Sequence, residues 1–314
     1  MTCTGISGTA CNTKLATKSE SISMNWVFYT LGAVVLQTVR NALQSKLSTH
    51  VDTVGVTLSR FLFAPPIALI YVVALHTTSP QQIPSFSHHF IIMVLLASVL
   101  QIAATAVKVM LFKQKNFAIG AGLAKSEALV AAVLGMLFFG SYLTVLGWIG
   151  IAVGAVAVFV LSSGNRAKGL SLKTLVIGIA CGTCFALTSL FVREASHMLA
   201  MPFVHGAAWV LLWVLCTQAI GLSVYILFTN PNVFRQLFER FTHTLVISTV
   251  SCLGSICWFT AMALQHVALV KTLGQLEVLL TLLLAHYWLK HKVTVQEIAG
   301  LFLIAIAAVL VMWA

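Results

Sequence analysis

Apolar runs of about twenty residues, parted by short polar breaks, recur from residue 25 to the end of the chain. Wound as α-helix, a run of that length matches the hydrocarbon thickness of a bilayer. The pattern predicts spans at 25–45, 52–76, 89–112, 117–139 and 142–162, then at 173–194, 202–228, 243–264, 267–289 and 294–313. Residues 1–24 read as a disordered polar tail. Between the fifth and sixth spans, SSGNRAKGLSLK is the longest basic polar linker and divides the chain at 165–172. The expected fold is an all-α membrane protein: ten transmembrane helices in two five-helix units, 25–164 and 173–314.

Composition supports that reading. The 314 residues are 60% hydrophobic and only 8% charged, with a mean hydropathy of +1.00. A soluble domain could not hide so much apolar surface. The net charge of +11 is scattered over loops and helices without a basic face, which argues against a nucleic-acid partner. Some two dozen polar residues precede the first apolar run, so that run is expected to stay in the membrane rather than be cleaved as a signal. Cys181 and Cys184 form a C-x-x-C, but on a spanning helix that spacing is one turn of one face, and packing is the simpler role. Phosphate-loop, H-E-x-x-H and G-x-S-x-G patterns are absent, which argues against ATP-driven pumping, zinc proteolysis and serine hydrolysis. The sequence calls for no cofactor and no metal.

The two halves are related. Shifted by 150 residues, the segment from Ala118 lies on that from Ala268 without a gap. Glu127 then meets Glu277, Leu123 meets Leu273, Thr144 meets Thr294 and Gly150 meets Gly300. Apolar identities mean little here, but acids are rare at that depth, so the matched glutamates carry weight. Five spans per unit is an odd number, so the second copy enters from the opposite side. Inverted repeats of this kind favour a carrier that rocks about a midplane site.

These features resemble the EamA-type permeases of the drug/metabolite transporter superfamily. The resemblance rests on two five-span copies, Arg60 in LSRFLFAPP, and the fourth-plus-fifth-span pattern just aligned. It implies a central cavity ringed by spans one to four and six to nine, with the fifth and tenth outside. It further implies a multi-pass protein of the bacterial inner (plasma) membrane, exporting small or amino-acid-like metabolites or drugs. The family's Glu-Pro pairs are missing, since Ala128 and Val278 follow the glutamates. Ser141 and His291 stand where its terminal glutamates would be. No particular substrate carries over.

Intramembrane charges cost about 2.5–3.5 kcal/mol each on insertion scales, so they need partners, water or a purpose. Arg40, Arg60, Lys108, Lys125 and Lys271 fall inside the predicted spans, against Glu127 and Glu277. That positive excess points to an anionic or zwitterionic cargo. Lys108 and Lys271 lie where snorkelling to the interface is easiest. Gln37, Arg40, Asn41 and Gln44 form one stripe on the first span, and Thr53, Thr57 and Arg60 another on the second. Such stripes should face protein or a wet cavity. Lys125 and Glu127 point to opposite sides of one helix. Lys125 and Lys271 mark one pair of faces and the two glutamates another, and either pair could line the cavity. His205, Trp209 and Trp213, with Trp258, are expected either as an aromatic wall of the cavity or as plain helix packing. Gly147, Gly150 and Gly154, and Gly178 with Gly182, are expected at close helix contacts or at a dimer seam.

Loop charges sort three to the tail's side (Lys14, Lys18, Arg193) and ten to the other, which puts both termini outside the cytoplasm. The family resemblance implies the reverse. The leading reading is a secondary carrier, monomer or homodimer. Arg40, Arg60, Gln37, Asn41, Gln44, Lys125, Lys271, Trp213 and Trp258 would serve the substrate, and Glu127 or Glu277 proton coupling or structure. A flippase for a lipid-linked anion and a non-transporting scaffold or sensor are the alternatives. Partners are thus a small-molecule substrate and membrane lipid.

Overall fold

A computed structural model describes residues 8–113, 127–162, 172–277, 279–280 and 295–313. All regular elements among the described residues are helices. In chain order they are α1 (Gly8–Leu47), α2 (Thr53–Ser59), α3 (Ala64–Thr78), α4 (His88–Lys113), α5 (Glu127–Phe138) and α6 (Val145–Ser162). Then follow α7 (Leu172–Met198), α8 (Phe203–Thr229), α9 (Asn232–Glu239), α10 (Phe241–Leu264), α11 (Val267–Leu273) and α12 (Val295–Met312). Among the described residues, five segments are long and apolar enough to cross a membrane: Thr53–Thr78, His88–Met110, Val176–Met198, Phe203–Thr229 and Phe241–Leu264.

Helix α1 begins at Gly8, well inside the stretch expected as a polar tail. That stretch contains Ala, Lys and Glu, and extending an existing helix is far easier than nucleating one.

The second span is broken. Pro65 and Pro66 open α3 and supply no N–H to the turn before them, so α2 cannot run through. The chain tightens instead: Arg60 N donates to Thr57 O (3.3 Å) and Phe61 N to Leu58 O (2.8 Å). Ser248 of α10 stitches the break. Its hydroxyl donates to Ser59 O (2.6 Å) and accepts from Phe63 N (3.2 Å). Each is a backbone group that an intact helix would satisfy internally.

A second break ends α11. Gln275 N donates to Thr272 O and Glu277 N to Gly274 O, both tight i→i−3 bonds. Gly274 is there because the Trp258 ring lies where a Cβ would be, 2.5 Å away.

The principal packing partners are α1 with α10, α4 with α7, and α6 with α12; α5 lies on α7 and α11. Small residues make these seams. Gly147, Gly150 and Gly154 on α6 are buried, as are Gly178 and Gly182 on α7. Cys181 donates to Ala104 O at 3.4 Å across the α7–α4 seam, and Cys184 is a free thiol, so the C-x-x-C packs helices. Outward, Phe28, Ile70, Val99, Ile220 and Phe228 are exposed, a surface suited to lipid tails.

Candidate functional site

The polar stripe on α1 faces inward. Arg40 and Gln44 are buried and Gln37 and Asn41 half-buried, all turned toward protein. Its main target is Glu277, just past the α11 break. Gln37 Nε2 donates to one carboxylate oxygen of Glu277 and Asn41 Nδ2 to the other. Neighbouring donors fix both amide orientations. Trp258 Nε1 donates to Gln37 Oε1 (2.9 Å) and Arg40 Nη2 to Asn41 Oδ1 (3.2 Å). Neither indole nor guanidinium accepts, so each amide must turn its oxygen to them and its NH2 to the acid. Lys108 of α4 adds its ammonium at 4.0 Å from Glu277.

Glu127, at the start of α5, is paired separately. Lys271 Nζ of α11 stands 3.7 Å from Glu127 Oε2 and 4.5 Å from the centroid of the Trp258 ring. Trp258 therefore touches both acids' circuits, by its π face and by its N–H. Lys271 also corrects an expectation: its ammonium is buried in a cross-half contact rather than snorkelled outward. Lys108, half-buried, likewise reaches across to Glu277 of the other half.

The two arginines have few partners. Gln44 Nε2 donates to Val56 O (3.3 Å), tying α1 to α2. Arg40 lies one turn before Gln44, and Arg60 one turn after Val56, on antiparallel segments, so both guanidinium-bearing positions share a depth. Arg60 Nη1 donates to Thr105 Oγ1 (2.9 Å), and its guanidinium lies 5.2 Å from the Phe61 ring. The Nε of both Arg40 and Arg60 is buried without a hydrogen-bond partner. So are both amide atoms of Gln275, whose Oε1 would lie 2.6 Å from a Cβ at Gly154. Gln275 falls opposite Lys125 in the 150-residue register.

Residues 172–313 match the model of the EamA-like transporter family. Over those residues the chain is similar to an EamA-like unit, a family of the drug/metabolite transporter superfamily. Together with the apolar helices, the match supports an integral, multi-pass membrane protein of transporter type. A solved structure titled only "Crystal structure of protein" superposes with a TM-score of 0.67 at 15% identity, covering 91% of this chain and 95% of that one. At that identity the likeness concerns the fold alone. No curated protein matches the chain.

Seen against the EamA-like architecture, the sequence-derived candidates divide. Gln37, Arg40, Asn41, Arg60, Trp258, Lys271, Glu127 and Glu277 come together around α1, α2, α5, α10 and α11. Gln44 serves as the α1–α2 tie. Trp213 stands apart: it packs on Phe86 (5.2 Å) and Phe90 (6.4 Å), in a cluster where Trp209 contacts Phe86 and His76. His205 joins that cluster, bonded to Ser79 O at 3.0 Å. Regular spacing of aromatic residues fixes a helix face, not a depth, and that face meets α3 and α4 near the loop at residue 79. Lys125 lies outside the described residues. Sequence reasoning missed Thr105 and Gln275, although each has polar companions at helical spacing: Gln101 and Lys108 flank Thr105 at i−4 and i+3, and Lys271 stands four residues before Gln275. Arg193, counted as a loop charge, instead caps α10 by donating to Met262 O (2.6 Å) and Gln265 O.

Proposed function

We propose that the chain is a secondary transporter that moves a small anionic or zwitterionic metabolite by alternating access. In this reading ten spans form two inverted repeats, 25–164 and 173–314, and the protein exports its cargo from a bacterial cell. The observation that carries the reading is the buried charged network at the junction of the halves, where Glu277 of the second half holds Gln37 and Asn41 of the first. The packing pattern supports the repeat. Numbering spans in order, the first packs on the eighth and the sixth on the third, and exchanging halves converts one pairing into the other. The fifth-on-tenth contact maps onto itself.

The breaks in the second and ninth spans support a carrier too, because interrupted helices at a repeat interface are how such proteins bring backbone and charge to the midplane. The acceptor-only geometry at Glu277 supports coupling to protons. Both its oxygens receive amide N–H bonds, so adding a proton to either would force one amide away and loosen α1 from the α11 end. The Lys271–Glu127 pair acts as the second clasp between halves. Arg40, Arg60 and Trp258 face the cargo.

Purified protein in liposomes tests this. With an imposed pH gradient, counterflow of a labelled anionic or zwitterionic metabolite is expected, and Glu277→Gln should uncouple it from the gradient. Flux indifferent to pH in both proteins would remove the coupling, and no flux with any of a metabolite panel would remove the carrier reading.

A further inference from the structure

Both acids of the network are engaged by other groups, and the hydrogen-bond partners of the arginines are not carboxylates. Glu127 is held by Lys271, while Glu277 accepts from Gln37 and Asn41 and lies near Lys108. Arg40, Arg60, Lys108 and Lys271 thus face two acids, leaving two positive charges in excess among the described residues. Arg60 is 5% exposed and Arg40 3%, and the hydrogen-bonding partners of both guanidinium groups are neutral side chains, Thr105 and Asn41. Arg40 retains some attraction from Glu277 and Glu127, but the charge acting on Arg60 is that of Arg40, a repulsion. Bringing two like charges to one depth in a low-dielectric interior is unfavourable unless something of opposite sign joins them. The two orphaned Nε–H groups are the unused donors of that arrangement.

We infer that Arg40 and Arg60, with the Thr105 hydroxyl beside them, are the seat of a doubly charged oxyanion, a phosphate monoester or a dicarboxylate. This deepens the carrier reading above and rests on it for the anion's being cargo. Guanidinium forks suit oxyanions because their N–H groups match two oxygens at once, and two forks suit a dianion. A zwitterion would bring its own ammonium into a region already two charges positive. The cation of the Glu127 clasp is Lys271 and not either arginine, so cargo binding and the closing of the halves involve different cations.

Thermal unfolding of the purified protein at matched ionic strength tests the seat, with phenyl phosphate, succinate, acetate and glycine as probes. A dianion should raise the melting temperature while acetate and glycine do not, and the phosphate and succinate arms tell the two sources apart. Arg60→Gln should abolish the shift, and Arg60→Lys, which keeps the charge but loses the fork, should weaken binding about tenfold. Without ligand, Arg60→Gln should melt no lower than the parent, because it removes an uncompensated buried charge. A structural arginine would behave oppositely. Equal shifts with acetate or glycine, no shift with either dianion, or a shift that survives Arg60→Gln would overturn the seat. Liposome flux separates this from the carrier reading. Bound anion without flux overturns the carrier and leaves the seat, whereas glycine flux that survives Arg60→Gln overturns the seat and leaves the carrier.

Discussion

Lys271 joins the two halves of the molecule to each other: its ammonium stands 3.7 Å from Glu127 while resting 4.5 Å from the Trp258 ring. Both side chains of the pair are buried, so removing one partner strands the other. Lys271→Met or Glu127→Gln alone should destabilise the protein by about 3–5 kcal/mol, and the double variant should recover much of that loss. Unfolding in mild detergent measures the cycle, and additive single losses would show that the pair does not interact.

Ser248 bridges the broken second span, satisfying Phe63 N and Ser59 O at once. Ser248→Ala leaves both backbone groups buried without that hydroxyl and should cost about 1–3 kcal/mol. A melting-temperature comparison with Thr249→Ala, whose exposed hydroxyl bonds only within its own helix, gives the baseline.

Gly154 is pressed against Gln275. Gly154→Ala puts a methyl 2.6 Å from Gln275 Oε1 and should destabilise by about 1–3 kcal/mol. Because Gln275 is a side chain without hydrogen-bond partners, Gln275→Ala in the same molecule should relieve most of that strain. Failure of the second change to rescue the first would place the clash elsewhere.

These seams and clasps were unevenly visible in the amino-acid order. The α1 stripe was legible because Gln37, Arg40, Asn41 and Gln44 share one helical face, and lipid cannot satisfy such a face. Its target was not. Gln37 and Glu277 are 240 residues apart, and the internal register relates Glu127 to Glu277 by equivalence, not by contact. Pro65 and Pro66 mark the break in the second span, yet hydropathy averages over it and returns one continuous segment. Lys108 and Lys271 were misplaced for a similar reason. Proximity to a predicted span end suggests an outward reach, whereas their depth depends on how α4 and α11 pack.

His266, between α10 and α11, has its pKa lowered from 6.5 by burial, and by the charges of Arg193 and His197. The folded protein therefore holds fewer protons there than the unfolded chain once the pH drops to that region. Stability from this group is complete above about pH 6.5 and is lost as the pH falls toward the depressed folded value. His266→Gln should flatten that part of a stability–pH curve measured between pH 7.5 and 5. An unchanged slope would assign the dependence to other groups.

The span in sequence between α1 and Glu277 has a consequence for biosynthesis. When the ribosome has made α1, the carboxylate that will receive Asn41 lies 236 residues further along the chain. Until the segment that carries α11 and Glu277 arrives, α1 must shelter its amides and Arg40 by other means. Early in translation the first helix should therefore stay beside the insertion machinery instead of diffusing into lipid, and a transcript truncated before Lys271 should yield a product cleared by quality control.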